Sequence, residues 1–293
     1  MAYPLVSAAY GFKPVNLIGG RVYSGSTRMI PIAENYGTSI FNGDLVGFAA
    51  GTLIKSALVY NTASYIAGTV GVFAGAEYSS SSGPIFGKNR YQYYPASTVA
   101  QDTLGYVVDD PLACFRVACL AQSSSGASNS LTAIGYVSQA YVGTNVSPAA
   151  IGTGSTATGD SLAGVTSSTA PTNGSGIVRT TTTLPFRIVQ LVPDTALTLS
   201  GTGTSSTTTI TLASAVTGLQ AGMQVIVANT TGGYTTGGYP GDYNYVTNVN
   251  GTTVTIANAI TQASTVNMTF VGYPEVIVAW NFGYHSYMAA AGV

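Results

Sequence analysis

Ionisable side chains are scarce in this chain: Asp, Glu, Lys and Arg together make up 6% of its 293 residues, against about a quarter in an ordinary globular domain. There is one histidine and there are two cysteines. Acid–base catalysis and metal binding draw chiefly on His, Cys and carboxylates, so few such groups can be brought together. The formal net charge of −1 provides no field to steer the protein toward nucleic acid or an acidic membrane surface. No segment offers the roughly 18 apolar residues of a membrane span. The opening MAYPLVSAAYGFKP lacks a basic region followed by an apolar stretch of signal-peptide length, so folding in a cytoplasm is expected.

Helical periodicity is also missing. What fills the chain is glycine (36 residues), tyrosine (20) and long Ser/Thr tracts, with 46% hydrophobic residues overall. These residue types suit a pleated, half-buried surface. Asn-Gly pairs at Asn42-Gly43, Asn173-Gly174 and Asn250-Gly251 are tight-turn signals. The chain is predicted to be all-β. Two Gly-Asp steps, Gly43-Asp44 and Gly159-Asp160, each precede an apolar segment, DLVGF and DSLAGV. In such a step the glycine permits a positive φ and the aspartate bonds nearby backbone amides, as expected of strands entering a small barrel.

Three regions are predicted. Residues 1–30 carry Lys13, Arg21 and Arg28 with no acid before Glu34, and are read as an extended arm that docks on another molecule; a loop folded over its own subunit is the alternative. Residues 31–197 and 271–293 hold short apolar strands such as TVGVFAGAEY, LGYVVDD, CFRVACLA and EVIVAW, and form one domain. Residues 198–270, with alternation at Thr207–Leu212 and Val254–Ile256, form a β-sandwich module that interrupts it.

Candidate chemistry is thin. Cys114 and Cys119, five strand residues apart, lie roughly 16 Å from each other and cannot form a disulfide; they read as buried small apolar side chains. Asp109-Asp110-Pro111 reads as a strand-terminating turn. His285, among aromatics in NFGYHSYM, reads as a packed or interface histidine, the nearest acid in sequence being Glu275. Gly152-Thr153-Gly154 lacks the third glycine and the strand–helix context of a dinucleotide fingerprint. No catalytic, cofactor-binding or metal-binding residue is assigned, and no cofactor is expected.

The segments GFKPVNLIGGRVYSGSTRMIPIAENYGTSIFNGDLV, VGVFAGAEY, GYVVDDP and EVIVAWNFGYHSY resemble, in style and order, the capsid decoration or cement proteins of tailed bacteriophages. LQAGMQVIVA and VNGTTVTIANAIT resemble the immunoglobulin-like modules inserted in phage surface proteins. The resemblance implies a small β-barrel or β-tulip-like capsid-binding domain with an inserted immunoglobulin-like sandwich. It implies a homotrimer that bridges major capsid protein subunits on the virion surface, with no nucleic acid or membrane partner. Tyr10, Phe12, Lys13, Arg21 and Arg28 are then the capsid-contacting residues of the arm. A head or tail fibre, or an adhesin that binds host glycan or protein, is the alternative; an enzyme is not expected.

Overall fold

The computed structural model describes residues 6, 8–56, 69–80, 87–122, 131–133, 139–150, 152–166, 184–195, 198–221, 223–228, 234–235, 244, 246–260, 262–281 and 283–288. Among them the chain is all-β and antiparallel, with two short 3₁₀ turns (Gln139–Tyr141 and Ser286–Met288) and no α-helix. In chain order the first strands are β1 (Lys13–Leu17), β2 (Arg28–Pro31), β3 (Leu45–Ala49), β4 (Thr52–Lys55), β5 (Thr69–Ser80), β6 (Gly87–Tyr91), β7 (Leu104–Val108) and β8 (Ala113–Ala118). They are followed by β9 (Leu120–Gln122), β10 (Leu131–Ala133), β11 (Asn145–Ala150), β12 (Ala163–Thr166) and β13 (Phe186–Leu191). The last are β14 (Thr198–Ser206), β15 (Thr209–Leu212), β16 (Gln224–Ala228), β17 (Tyr234–Thr235), β18 (Val246–Asn250), β19 (Thr253–Ile256), β20 (Gln262–Val271) and β21 (Glu275–Trp280). The Asn173-Gly174 turn lies outside the described residues.

One sheet has the order β2-β7-β5-β3-β4, with β6 also on β5. Strand β5 serves three partners because it is 12 residues long, β3 pairing with its first half and β6 with its second, while β7 runs along its middle with a register slip between Phe73 and Gly75, where Gly75 takes φ +136°. A second sheet has the order β1-β8-β21-β13-β11-β12. It curls, since Cys119, just beyond β8, forms a bridge to Val165 of β12. Strands β9 and β10 form a separate ribbon. The region expected to form a small barrel holds two six-stranded sheets, of which the second curls on itself. They meet in a shared core, where Leu45, Val72 and Val108 of the first pack with Phe115, Val117, Phe186, Ile188, Val276 and Val278 of the second. The first sheet also covers a core of its own around Ile30, Ile40, Val46, Leu53, Phe73, Tyr94 and Val107.

After β13 the chain builds a third sheet, order β17-β16-β20-β14-β15-β19-β18, and returns as β21 between β8 and β13. The sandwich expected here consists of two facing sheets, whereas the strands form one continuous sheet that turns back on itself. The Val225 N–H donates to the Asn244 carbonyl at 3.0 Å and the Val246 N–H to the Met223 carbonyl at 2.8 Å, bringing the start of β18 beside the start of β16. The cause is the length of β14 and β20: paired along nearly their whole length, they bend at a bulge between Gly203 and Ser205. Bulges increase local twist, and a strongly twisted sheet can wrap its own core, here Ile210, Val225, Val254, Ile256, Met268 and Phe270. The Asn250-Gly251 turn joins β18 to β19, with Gly251 at φ +60°.

Candidate functional site

The first thirty residues divide into an anchored part and an exposed part. Phe12 is fully buried, its ring stacked on Phe186 at 4.9 Å and edge-on to Phe115 at 6.3 Å. Strand β1 pairs with β8. The Tyr10 hydroxyl donates to the carboxylate of Glu275, which is 1% exposed and also accepts from the Arg116 guanidinium. Burial, then this carboxylate, push the Tyr10 hydroxyl far above its ordinary range. The extended arm spanning residues 1–30 is therefore corrected: residues 13–17 are a strand of the second sheet of their own subunit, and Tyr10 and Phe12 pack against its body. Residues 1–5 and 7 lie outside the described residues.

The isolation of the basic residues from acids is corrected as well. The Lys13 ammonium lies 2.6 Å from Asp160, and the Arg28 guanidinium 2.8 Å from Asp109 and beside the Tyr287 hydroxyl. These acids are far away in sequence, so local charge counting could not find them. Arg21 is exposed and makes no ion pair among the described residues.

The exposed part is a short hairpin. Asn16 bridges Val22, the Leu17 N–H donates to the Arg21 carbonyl at 2.8 Å, and Gly19 and Gly20 turn the chain at φ +88° and +79°. Its apolar side chains face water: Val22 is 82% exposed and Ile18 45%, and exposed Leu112 adjoins them through an Ile18 N–H to Leu112 carbonyl bond of 2.9 Å. Arg21 sits in the same hairpin, and Asp110 two residues before Leu112. Asp110 closes the predicted turn by accepting from the Leu112 N–H at 2.8 Å. Ile18, Val22 and Leu112 thus leave apolar side chains facing water along this part of the second sheet.

The two Gly-Asp steps meet. The Asn42 N–H donates to the Gly159 carbonyl at 2.9 Å and the Ser161 N–H to the Asn42 carbonyl at 3.0 Å. Both glycines have positive φ, +94° at Gly43 and +75° at Gly159. Gly11 and Gly43 approach so closely that a Cβ on either would lie 2.8 Å from the other's Cα. Asp44, 1% exposed, accepts from the Phe41 N–H and the Ser161 hydroxyl and pairs with Lys55 at 2.7 Å. Asp160 accepts from Lys13 at 2.6 Å and from the Gln92 amide at 3.3 Å. The recurrence was visible in the sequence; that its two copies bond to each other was not.

A strip of charge and aromatic rings runs along β5, β6 and β7. Arg90 lies over the Tyr106 ring, and the Tyr106 hydroxyl donates to Glu77. That bond, with Lys88 and Arg90 nearby, holds Glu77 below the usual carboxylate range. Beside it is a recess of about 230 Å³ lined by Thr27, Gly75, Arg90, Tyr91 and Tyr106 among others.

His285 is fully buried, edge-on to Trp280 at 5.3 Å, and its Nδ1 accepts from the Tyr287 N–H at 3.2 Å. No nucleophile joins it among these contacts. Burial lowers its pKa, partly offset by Asp109, the Val70 carbonyl and Asp110. Since the unfolded chain takes up this proton near pH ~6.5 and the folded chain only at lower pH, the unfolded state binds more protons as pH falls below that value. The neutral ring's contribution is therefore full above pH ~6.5 and lost on acidification. Urea denaturation from pH 7 to pH 5 is expected to show a shallower loss of stability in H285F than in wild type, and parallel profiles would refute this.

Both cysteines are buried and unpaired, and burial pushes both thiols up. Among the described residues no three His, Cys, Asp or Glu side chains gather as a metal site. Asp44 and Asp160 carried a local signal, the two Gly-Asp steps, but not the identity of their distant partners Lys55, Ser161 and Lys13. Glu275, an acid opening the apolar run EVIVAW, showed nothing locally of its pairing with Tyr10 and Arg116. Comparison of the chain with known protein families, with characterised proteins and with solved structures finds no match.

Proposed function

We propose that this chain is a structural protein of a virion surface, a homotrimer that binds the outside of a phage head and cements adjacent major capsid protein subunits. One observation carries the reading: the hairpin of residues 16–22 presents Ile18, Arg21 and Val22 to solvent from a base pinned by Phe12 and β1. A side chain as apolar and as exposed as Val22 gains free energy by being covered. Rigid presentation lowers the entropic cost of docking. Symmetry then multiplies a modest contact into durable attachment. A small barrel or tulip-like capsid-binding unit is the finer part of this proposal, the curl of the second sheet being its support.

The fibre or adhesin reading has its own support in the recess beside Arg90, Tyr91 and Tyr106, since aromatic faces with a few polar groups suit a small ligand. Immunogold electron microscopy of particles carrying the chain separates the two: label over heads is expected, and label confined to fibres favours the adhesin. Mass photometry is expected to give three times 29.8 kDa. In the triple variant I18S/R21S/V22S the protein should stay folded, and its retention on purified heads in sedimentation should fall at least tenfold. Unchanged retention would remove the hairpin from the interface.

A further inference from the structure

An amine, a carboxamide and a carboxylate converge at the Gly-Asp junction. The Lys13 Nζ donates to the Asn42 side-chain Oδ1 at 2.7 Å and to the Asp160 Oδ1 at 2.6 Å, across sequence separations of 29 and 147 residues. A third, longer bond of 3.3 Å runs to the Asn42 carbonyl. We propose that Lys13 and Asn42 become joined by an amide bond, an intramolecular isopeptide cross-link made by the folded chain itself, with Asp160 as the proton carrier.

The geometry supplies what the step needs. With a C=O bond of ~1.23 Å, Nζ lies at most about 3.9 Å from the Asn42 Cγ. Rotation of the carboxamide about its Cβ–Cγ bond presents the carbon to the amine. The backbones behind the three groups are fixed to one another: Phe12 N–H to Gly43 carbonyl at 3.0 Å, Asn42 N–H to Gly159 carbonyl at 2.9 Å, Ser161 N–H to Asn42 carbonyl at 3.0 Å. Holding two reactants in this way gives them a large effective concentration. Gln92, 3.3 Å from the Asp160 Oδ1, positions the carboxylate.

The step balances without cofactor or redox change. Lys13 gives one ammonium proton to Asp160, and the lone pair of the neutral amine attacks Cγ. The new C–N bond forms as the Cγ–Nδ2 bond of Asn42 breaks. A second proton from the attacking nitrogen goes to the leaving nitrogen, which departs as ammonia and carries off the proton held on Asp160. The side chains of Lys13 and Asp160 are 30% and 32% exposed, so ammonia has a path to water.

The usual competing fate of an Asn-Gly pair, attack by the following backbone nitrogen on the side-chain carbon, is obstructed. The Gly43 N–H is already committed to the Phe73 carbonyl at 2.8 Å. The lysine amine is the nucleophile left within reach. Its bond would tie β1 of the second sheet to the turn that opens β3 of the first, so tension on either sheet would pass through a covalent link. The cross-link stands whether or not the chain sits on a virion.

The test is the intact mass of the purified full-length chain under denaturing conditions. The expected mass is lower than that of the sequence by one molecule of ammonia, and a tryptic digest should contain the Lys13 peptide joined to the Asn42 peptide. The variants K13R and D160N are expected to keep the full sequence mass while circular dichroism shows the same β signature, and chain held in denaturant from synthesis should not react. Folded wild-type protein at full mass after days in neutral buffer would overturn the proposal. So would ammonia loss mapped to another pair, and D160N reacting as fast as wild type would remove Asp160 from the mechanism.

Discussion

Phe12→Ala is expected to lower the free energy of unfolding by about 3–5 kcal/mol, the usual cost of emptying a buried aromatic site. The ring is fully buried, stacked on Phe186 and edge-on to Phe115. The chain's single tryptophan, Trp280, lies 4.3 Å from the Phe186 ring, so urea denaturation followed by its fluorescence reports on this core. A loss below about 1 kcal/mol would mean that residues 10–17 are dispensable to the body, and the free arm would have to be reinstated.

Asp44→Ala is the second large effect, again about 3–5 kcal/mol, because removing one partner of a buried pair strands the other. The carboxylate is 1% exposed and the Lys55 side chain 16%, so the ammonium cannot turn fully to water. The Phe41 N–H and the Ser161 hydroxyl lose their acceptor in the same stroke. Asp44→Asn keeps an acceptor for the Phe41 N–H but not the charge, and should fall between alanine and wild type. Denaturation midpoints of the three proteins check the order; equal midpoints would show that Lys55 and Ser161 find replacements and that the junction is not held by this carboxylate.

The first effect falls where local features of the chain mislead, as do the ion pairs of Lys13 and Arg28, and for one reason. Lys13 and Arg28 have no acid among the first thirty residues, which made the segment look unpartnered, yet their counterions are Asp160 and Asp109. Ion pairing depends on distance in space, and sequence separation is no guide to it in a fold dominated by long-range strand pairing. Phe12 looks like a contact residue for another molecule because a segment of this composition has little to pack against nearby; its slot is made by strands more than a hundred residues away. The hairpin is the part of the segment whose exposure fits the original reading, since Gly19-Gly20 sets its turn and its apolar residues have no pocket.

The residue sequence by itself determined that the chain is all-β, because β-branched, hydroxyl and aromatic side chains punctuated by glycine leave no helical stripe, and it set where tight turns such as Asn250-Gly251 and the two Gly-Asp steps fall. Those are properties of a few neighbouring residues, which propensity and backbone sterics decide. Only the tertiary structure decided that the barrel region is two sheets, that the third sheet closes on itself, and that the two Gly-Asp turns bond to each other and gather Lys13, Asn42 and Asp160. Register and sheet partners follow from which apolar faces can be buried together, and that is settled by the whole chain at once.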